Sequence, residues 1–181
     1  MRPRPLQEFK VQIQIAGVSV RSAAGDLLEL LRHLHQQEPA FSETAPYASE
    51  GLSTARCGRI VGTNRDALAQ RLLIAVVAEA LDQSELPDGA RIGLVVGTGS
   101  GAMPKWERWH AAHLAGEDSD PTGIGRDAPT EAVAAELGLQ GPIATLSVAC
   151  VSGTAALDVA AGWLRDGSAE VVVAAGVDVL T

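Results

Sequence analysis

The sequence predicts an α/β fold in which strands alternate with helices. Short runs of apolar, often β-branched residues are separated by longer stretches with the three- and four-residue spacing of helices. Hydrophobic residues make up 46% of the 181 residues and aromatic residues only 3%. We therefore expect a core packed from small aliphatic side chains, with the 19 glycines serving turns between strands and helices.

The N-terminal part contains one predicted strand, one helix and a long loop. Residues 11–18 alternate apolar and polar side chains, which is typical of a strand. Leucines at helical spacing predict a helix over 26–37. The segment 38–63 has prolines and glycines with little periodicity, so we interpret it as a surface loop.

The rest of the chain repeats the helix and strand pattern. Thr63 or Asn64 is placed to cap a largely buried helix over 65–81. The continuous apolar run 91–97 predicts a strand covered on both faces. The other predicted elements are a glycine loop with a short helix and an acidic turn (98–120), a helix (128–138), a strand (142–148), a helix (152–167) and a strand (169–177).

Charge and composition exclude several classes of function. The formal net charge of −8 disfavours a chain that holds nucleic acid by neutralising phosphates. The apolar runs are too short to span a membrane, and no secretory signal follows the basic start, so we predict a cytoplasmic protein without a membrane partner. Cys57 and Cys150 are far apart and suggest neither a disulfide framework nor a zinc site.

Two further patterns predict no cofactor and no metal. Gly97, Gly99 and Gly101 give G-x-G-x-G and not the dinucleotide fingerprint G-x-G-x-x-G, so a tight turn or the wall of an acyl pocket is the favoured interpretation. His110 and His113 have a spacing that metal sites use, but no third ligand is evident. Beside Trp106 and Trp109 they indicate a surface or interface feature, and His33 and His35 suit a helix end.

Cys150 is the candidate nucleophile. It lies where the strand 142–148 meets the helix 152–167, and the positive end of a helix dipole stabilises a thiolate. The same helix amides could hold an oxyanion, and Gly153 would let a substrate approach the backbone. The helix lacks a wide charged face and is predicted to be buried nearly all round, whereas Cys57 is predicted to be an inert packing residue.

The segment GPIATLSVACVSGTAALDVAAGWLRDGSAEVVVAAGVD resembles the active-site segment of the β-ketoacyl-acyl carrier protein synthases, the condensing enzymes of fatty acid and polyketide synthesis. The segments IQIAGVSV, RDALAQRLLIAVVAEAL and GLVVGTGSGA are similar to this family's first strand, first long helix and acyl-pocket loop. The resemblance implies a dimeric thiolase-like layered fold, with a mixed sheet and a buried central helix after the nucleophilic cysteine. Residues 1–181 would form the N-terminal half only, without the C-terminal half.

The resemblance also implies roles for individual residues. Cys150 would accept the acyl group from the phosphopantetheine arm of an acyl carrier protein, and its amide would be one oxyanion donor. Gly99 and Ser100 would border the acyl chain. Three arginines would lie near the docking site of the acidic carrier protein, with a solvated basic turn as the equally supported alternative; these are Arg56, Arg59 and Arg65.

The resemblance stops short of a complete enzyme. The family's two catalytic histidines and a buried lysine belong to the C-terminal half, and none of the four histidines here falls in a matching motif. We therefore expect incomplete activity from this chain alone and association with a homodimer or heterodimer partner or with the missing half. The alternatives are a non-catalytic partner subunit or scaffold remnant, a thiolase-type half that uses coenzyme A and, more distantly, a nucleotide-dependent reductase.

Overall fold

The computed structural model describes residues 12–41, 56–60 and 67–179. Five helices and three strands are described within these ranges. In chain order they are α1 (Leu27–Gln36), α2 (Leu68–Asp82), β1 (Ile92–Gly97), α3 (Met103–Leu114), α4 (Ala128–Glu136), β2 (Ile143–Leu146), α5 (Ser152–Asp166) and β3 (Val171–Gly176).

The three strands form a parallel sheet in the order β2-β1-β3. Val96 of β1 lies beside Thr145 of β2 and Ala175 of β3. Because the strands are parallel, all three end at the same edge of the sheet. We call the segments that follow them, 98–101, 147–151 and 177–179, the carboxyl edge. The antiparallel strand that a mixed sheet requires is not among the described residues.

The sheet separates two layers of helices. Leu94 and Val96 of β1 point to one face, where they join a cluster with residues of α2 and α4. Val95 points to the other face and packs against Ala156 and Ala160 of α5. The central strand is therefore covered on both faces, as its continuous apolar sequence predicted.

Local sequence signals account for the helix ends that the structure describes. Asp26 caps α1 and forms a capping box with Glu29, which explains why this helix begins there. Gly167 ends α5 in the left-handed region with φ of 76°, which favours glycine. α2 begins at Leu68 without a side-chain cap, and the predicted capping residues Thr63 and Asn64 lie outside the described residues.

The predicted strand over 11–18 is wrong for residues 12–18, while Val11 is not described. An alternating pattern forms a strand only where a neighbouring strand completes its hydrogen bonds, and no described strand lies beside this segment. Instead, the Val18 amide donates to the side chain of Gln83, and Gly17 lies against the carbonyl of Ala80 at the end of α2.

The prediction that α5 is buried nearly all round is also wrong. Its buried residues are Ser152, Ala156 and Ala160, whereas Leu157 is 61% exposed. The physical reason is that α5 packs mainly on the sheet among the described residues, so that its opposite face meets solvent. In the described part of the chain, no helix is long and apolar enough to cross a lipid bilayer.

Replacing Gly97 by alanine is expected to destabilise the fold strongly. A methyl group there would collide with the backbone of Ser152 and lie 2.7 Å from the Gly153 nitrogen. We expect a loss of about 3 kcal/mol, near the upper range for overpacking, measured by urea unfolding. The control Gly162→Ala adds its methyl group in open space within α5 and should stabilise by about 0.5–1 kcal/mol. Equal stability of the two variants would contradict the close approach at Gly97.

Candidate active site

Cys150 lies at the carboxyl edge, between β2 and α5. It occupies a single 3-10 turn, Ala149–Val151, that leads directly into α5, and its side chain is exposed. The thiol is therefore within one turn of the helix N-terminus, where the dipole favours negative charge. The sequence predicted this junction correctly, and the structure adds that the thiol is accessible.

The turn before Cys150 is conformationally strained. Ala149 has φ of 53°, in the left-handed region, which costs an L-residue roughly 1–2 kcal/mol. Ser152 offsets this cost, because its hydroxyl accepts a hydrogen bond from the Val148 amide at 3.0 Å and donates one to the Ala149 carbonyl at 2.7 Å. The buried Ser152 side chain therefore holds the turn in place.

The end of β1 is packed tightly against the start of α5. Gly97 lies directly against the backbone of Ser152 and Gly153. The next amide, that of Thr98, donates to the Leu146 carbonyl at the end of β2. The glycine loop 98–101 consequently begins beside the connection that carries Cys150.

Asp178, just after β3, anchors the glycine loop. Its Oδ1 atom accepts hydrogen bonds from the amides of Gly99 and Ser100 and from the hydroxyls of Ser100 and Thr98, at 2.8–3.1 Å. Partial burial raises the pKa of Asp178, but the hydrogen bonds from Ser100, Gly99 and Thr98 outweigh burial and lower the pKa below its ordinary value. The carboxylate is therefore the favoured form at neutral pH.

The hydrogen bonds to Asp178 also bear on whether the loop amides can bind a nucleotide phosphate. The Gly99 and Ser100 amides, which would have to face a pyrophosphate, donate to Asp178 instead. A carboxylate in that position repels a phosphate. Both amides are therefore engaged within the protein.

Thr98 and Gly101 complete the loop. The buried Thr98 hydroxyl accepts from the Gly101 amide at 2.8 Å while donating to Asp178. Gly101 has φ of 55° and presses on the backbone of Arg126, so a side chain there would be both strained and obstructed. Arg126 in turn donates to the Ser147 hydroxyl at 3.3 Å, on the connection to Cys150.

Gly99, Ser100 and Cys150, the predicted site residues, therefore all lie at the carboxyl edge. The sequence analysis missed Asp178 as a partner of this loop. The sequence did contain a signal for it, because Asp178 is an acidic residue directly after the apolar run of β3. The predicted site residues Ser100 and Cys150 follow the other two strands at the same edge.

The predicted basic patch is described in part. Residues 58–60 line a cleft of about 380 Å³ together with 176–179 and one face of α2. Arg59 and Asp178 therefore border the same cleft. Arg56 is exposed nearby in sequence, and Arg65 lies outside the described residues.

The histidines on α3 stack on tryptophans. The rings of Trp106 and His110 have centroids 4.9 Å apart, and those of Trp109 and His113 are 5.4 Å apart, each pair nearly parallel. No cluster of three or more metal-ligating side chains occurs in the part of the chain that the structure describes.

Cys57 is 8% exposed, which confirms its predicted burial.

Comparison with known families places these features in context. A family model for the N-terminal domain of β-ketoacyl synthases matches residues 62–181. The ketoacyl synthase alpha subunit of the tetracenomycin polyketide synthase from Streptomyces glaucescens is 29% identical over 92% of this chain and 46% of its own length. The spectinabilin polyketide synthase protein NorA' from Streptomyces orinoci is 31% identical over 93% of this chain and 5% of its own length.

Solved ketosynthase structures share the fold. The oxazolomycin ketosynthase domain from Streptomyces albus superposes with a TM-score of 0.73 at 20% identity, over 92% of this chain and 34% of that domain chain. A β-ketoacyl synthase from Burkholderia phymatum gives 0.70 at 18% identity, over 86% of this chain and 44% of that chain. The fold is thus thiolase-like, and this chain spans less than half of either relative named above.

Removing the Ser152 hydroxyl is expected to loosen the turn at Cys150. Ser152→Ala leaves the Val148 amide and the Ala149 carbonyl without this partner, so we expect a loss of about 1–2 kcal/mol in urea unfolding. Ser168→Ala, an exposed serine just beyond the opposite end of α5, should change stability by less than about 0.5 kcal/mol. A Ser152→Ala variant as stable as Ser168→Ala would show that the hydroxyl does not hold the turn.

Proposed function

The chain belongs to the β-ketoacyl synthase family, as a match to its N-terminal domain, and on that premise we propose that Cys150 accepts an acyl group for the condensation reaction of fatty acid or polyketide synthesis. The observation that carries the proposal is an exposed cysteine at the N-terminus of α5, on a strained turn at the carboxyl edge. The exposed thiol is accessible to a thioester, and it lies within one turn of the N-terminal amides of α5.

The proposed step transfers an acyl group between two sulfur atoms. The Cys150 thiolate attacks the carbonyl carbon of a carrier-bound thioester, and the electron pair of the carbonyl moves to oxygen. Collapse of this oxyanion breaks the original carbon–sulfur bond and releases the pantetheine thiolate, which takes up a proton. The positive end of α5 supports both the attacking thiolate and the oxyanion, with the Cys150 amide as one proposed donor.

Gly99 and Ser100 are proposed to border the acyl chain. Support comes from the position of their loop, which begins against the first turn of α5. Because the Ser100 hydroxyl donates to Asp178, it is directed toward β3 and its polarity is satisfied within the protein. A satisfied hydroxyl presents a lower desolvation cost to a passing apolar chain than an unpaired one.

We propose that residues before 62 belong to the same domain as the matched segment. The side chains of Ser19 and Arg21 both contact Glu79 of α2, at 2.8 Å and 2.6 Å, and Val18 contacts Gln83.

We further propose that decarboxylation needs groups from outside this chain. Two histidines lie on α1, and the two on α3 stack on tryptophans.

We propose association with another polypeptide on the basis of exposed apolar residues at the start and on the outer face of α5. Leu157 of α5 is 61% exposed, and Val151, which follows Cys150 in the turn before α5, is 58% exposed. Apolar exposure next to a nucleophile is costly for a free surface and typical of an interface. We propose that a second half or a second subunit covers this face.

A carrier protein is the proposed acyl donor. One solved structure with this fold is a type II polyketide synthase acyl carrier protein in complex with its ketosynthase, with a TM-score of 0.66. Carrier proteins are acidic, so docking on a chain of net charge −8 needs a local basic patch. Arg56, Arg59 and Arg65 are proposed to supply it, and Arg59 borders the cleft beside the carboxyl edge.

Incubating the purified chain with a medium-chain acyl-pantetheine thioester should give one acyl adduct in the intact mass spectrum. The adduct should disappear in Cys150→Ala and persist in Cys57→Ala, because Cys57 is buried and Cys150 is exposed. An adduct that depends on Cys57, or no adduct from folded chain, would contradict acyl acceptance by Cys150 in this protein.

Reversing the charge of Arg59 should weaken carrier-protein binding. We expect Arg59→Glu to lower the affinity about threefold to tenfold at low salt, with the difference shrinking as salt is added, because exposed charges are screened. Arg165→Glu makes the same net change in the last turn of α5, away from Cys150, and should leave binding nearly unchanged. Titration calorimetry at two salt concentrations measures both, and equal losses would point to net charge and not to a docking site.

A further inference from the structure

Asp178 connects the ends of two strands, β3 and β1, at the carboxyl edge. Its side chain follows β3 and binds the loop that follows β1. We propose that Asp178 is a positioning residue for Cys150, which it affects by holding the loop 98–101 against the start of α5. This inference rests on the proposed function, and it assigns to Asp178 no contact with the reacting atoms.

The hydrogen bonds of Asp178 are concentrated on a single atom. Oδ1 receives two backbone amides and two hydroxyl groups, which come from three consecutive residues. Hydrogen bonds to an ionised acceptor are roughly twice as strong as those between neutral groups. The carboxylate therefore holds the backbone amides of Gly99 and Ser100 and the side-chain hydroxyls of Thr98 and Ser100.

Backbone contacts continue from this loop to the nucleophile. The Val177 amide donates to the Gly97 carbonyl, and the Thr98 amide donates to the Leu146 carbonyl, at 3.1 Å and 2.9 Å. Gly97 itself lies against the backbone of Ser152. A displacement of the loop would thus also displace the turn that carries Cys150, which Ser152 holds in place.

A neutral replacement should hold the loop less well. The amide oxygen of asparagine can still accept from Gly99 and Ser100, whereas alanine leaves four donors without this acceptor. Because the pKa of Asp178 is lowered in the folded chain, its contribution is present above the ordinary carboxyl pKa and is lost as pH falls through the lowered value. Asp178→Asn should lack this pH dependence.

The test compares Asp178→Ala and Asp178→Asn with Asp166→Ala in a Cys57→Ala background. Asp166 is a matched control because its carboxylate also accepts an amide hydrogen bond, from Ser168, but at the far end of α5. Two quantities are measured per folded molecule: hydrogen exchange of the Gly99 and Ser100 amides, and the rate at which iodoacetamide alkylates Cys150. Acylation by the acyl-pantetheine thioester is measured in parallel.

We expect Asp178→Ala to speed exchange of both amides at least tenfold and to change the alkylation and acylation rates of Cys150 by at least fivefold. Asp178→Asn should lie between this variant and wild type, and Asp166→Ala should match wild type. If Asp178→Asn and Asp178→Ala alter only the urea midpoint, with rates per folded molecule within twofold of wild type, Asp178 is merely structural and the proposal fails.

The two proposals fail in different ways. Absence of acylation in wild type, together with the expected exchange and alkylation changes, would overturn acyl acceptance by Cys150 and retain the positioning of Cys150 by Asp178. Normal acylation in all variants would retain acyl acceptance by Cys150 and overturn the positioning of Cys150 by Asp178. If Asp178→Ala does not fold, Asp178→Asn alone decides the outcome by the same rates.

Discussion

The close approach of Gly97 to the first turn of α5 is the contact on which the arrangement of the site depends. A parallel sheet brings its strand ends to one edge, but it does not determine how near a following helix comes to the central strand. At Gly97 the absence of a side chain lets the helix backbone lie directly against the strand. The connection that carries Cys150 is consequently held beside the start of the glycine loop.

The turn at Cys150 shows how a strained backbone is retained next to a reactive group. Ala149 adopts a left-handed conformation that an alanine does not favour, and the buried Ser152 hydroxyl satisfies the polar groups on both sides of it. The helix that follows this turn is packed on the sheet through Ala156 and Ala160. A helix packed on the sheet thus follows directly after the exposed Cys150, the proposed nucleophile.

Electrostatics at the carboxyl edge are divided between two functions. The Gly99 and Ser100 amides of the loop donate to the Asp178 carboxylate. The positive end of α5 is left to Cys150. Carrier-protein attraction is proposed for a basic patch of which Arg59 borders the cleft.

Local sequence patterns determined most of the elements and the position of Cys150. Continuous apolar runs identified β1, β2 and β3, leucine spacing identified α1, and a cysteine at a strand-to-helix junction identified the candidate nucleophile. These features depend on residues close together in the chain. The resemblance of the segment around Cys150 to condensing enzymes then indicated the family.

Only the tertiary structure decided the features that depend on distant residues. Asp178 binds a loop 78 to 80 positions earlier, and no local pattern shows which acceptor will meet those amides. The segment 12–18 has the alternation of a strand but no described strand beside it to complete its hydrogen bonds. The helix α5 has the composition of a buried helix but, among the described residues, packs mainly on the sheet. Strand pairing and burial require a partner, and a sequence read locally does not specify that partner.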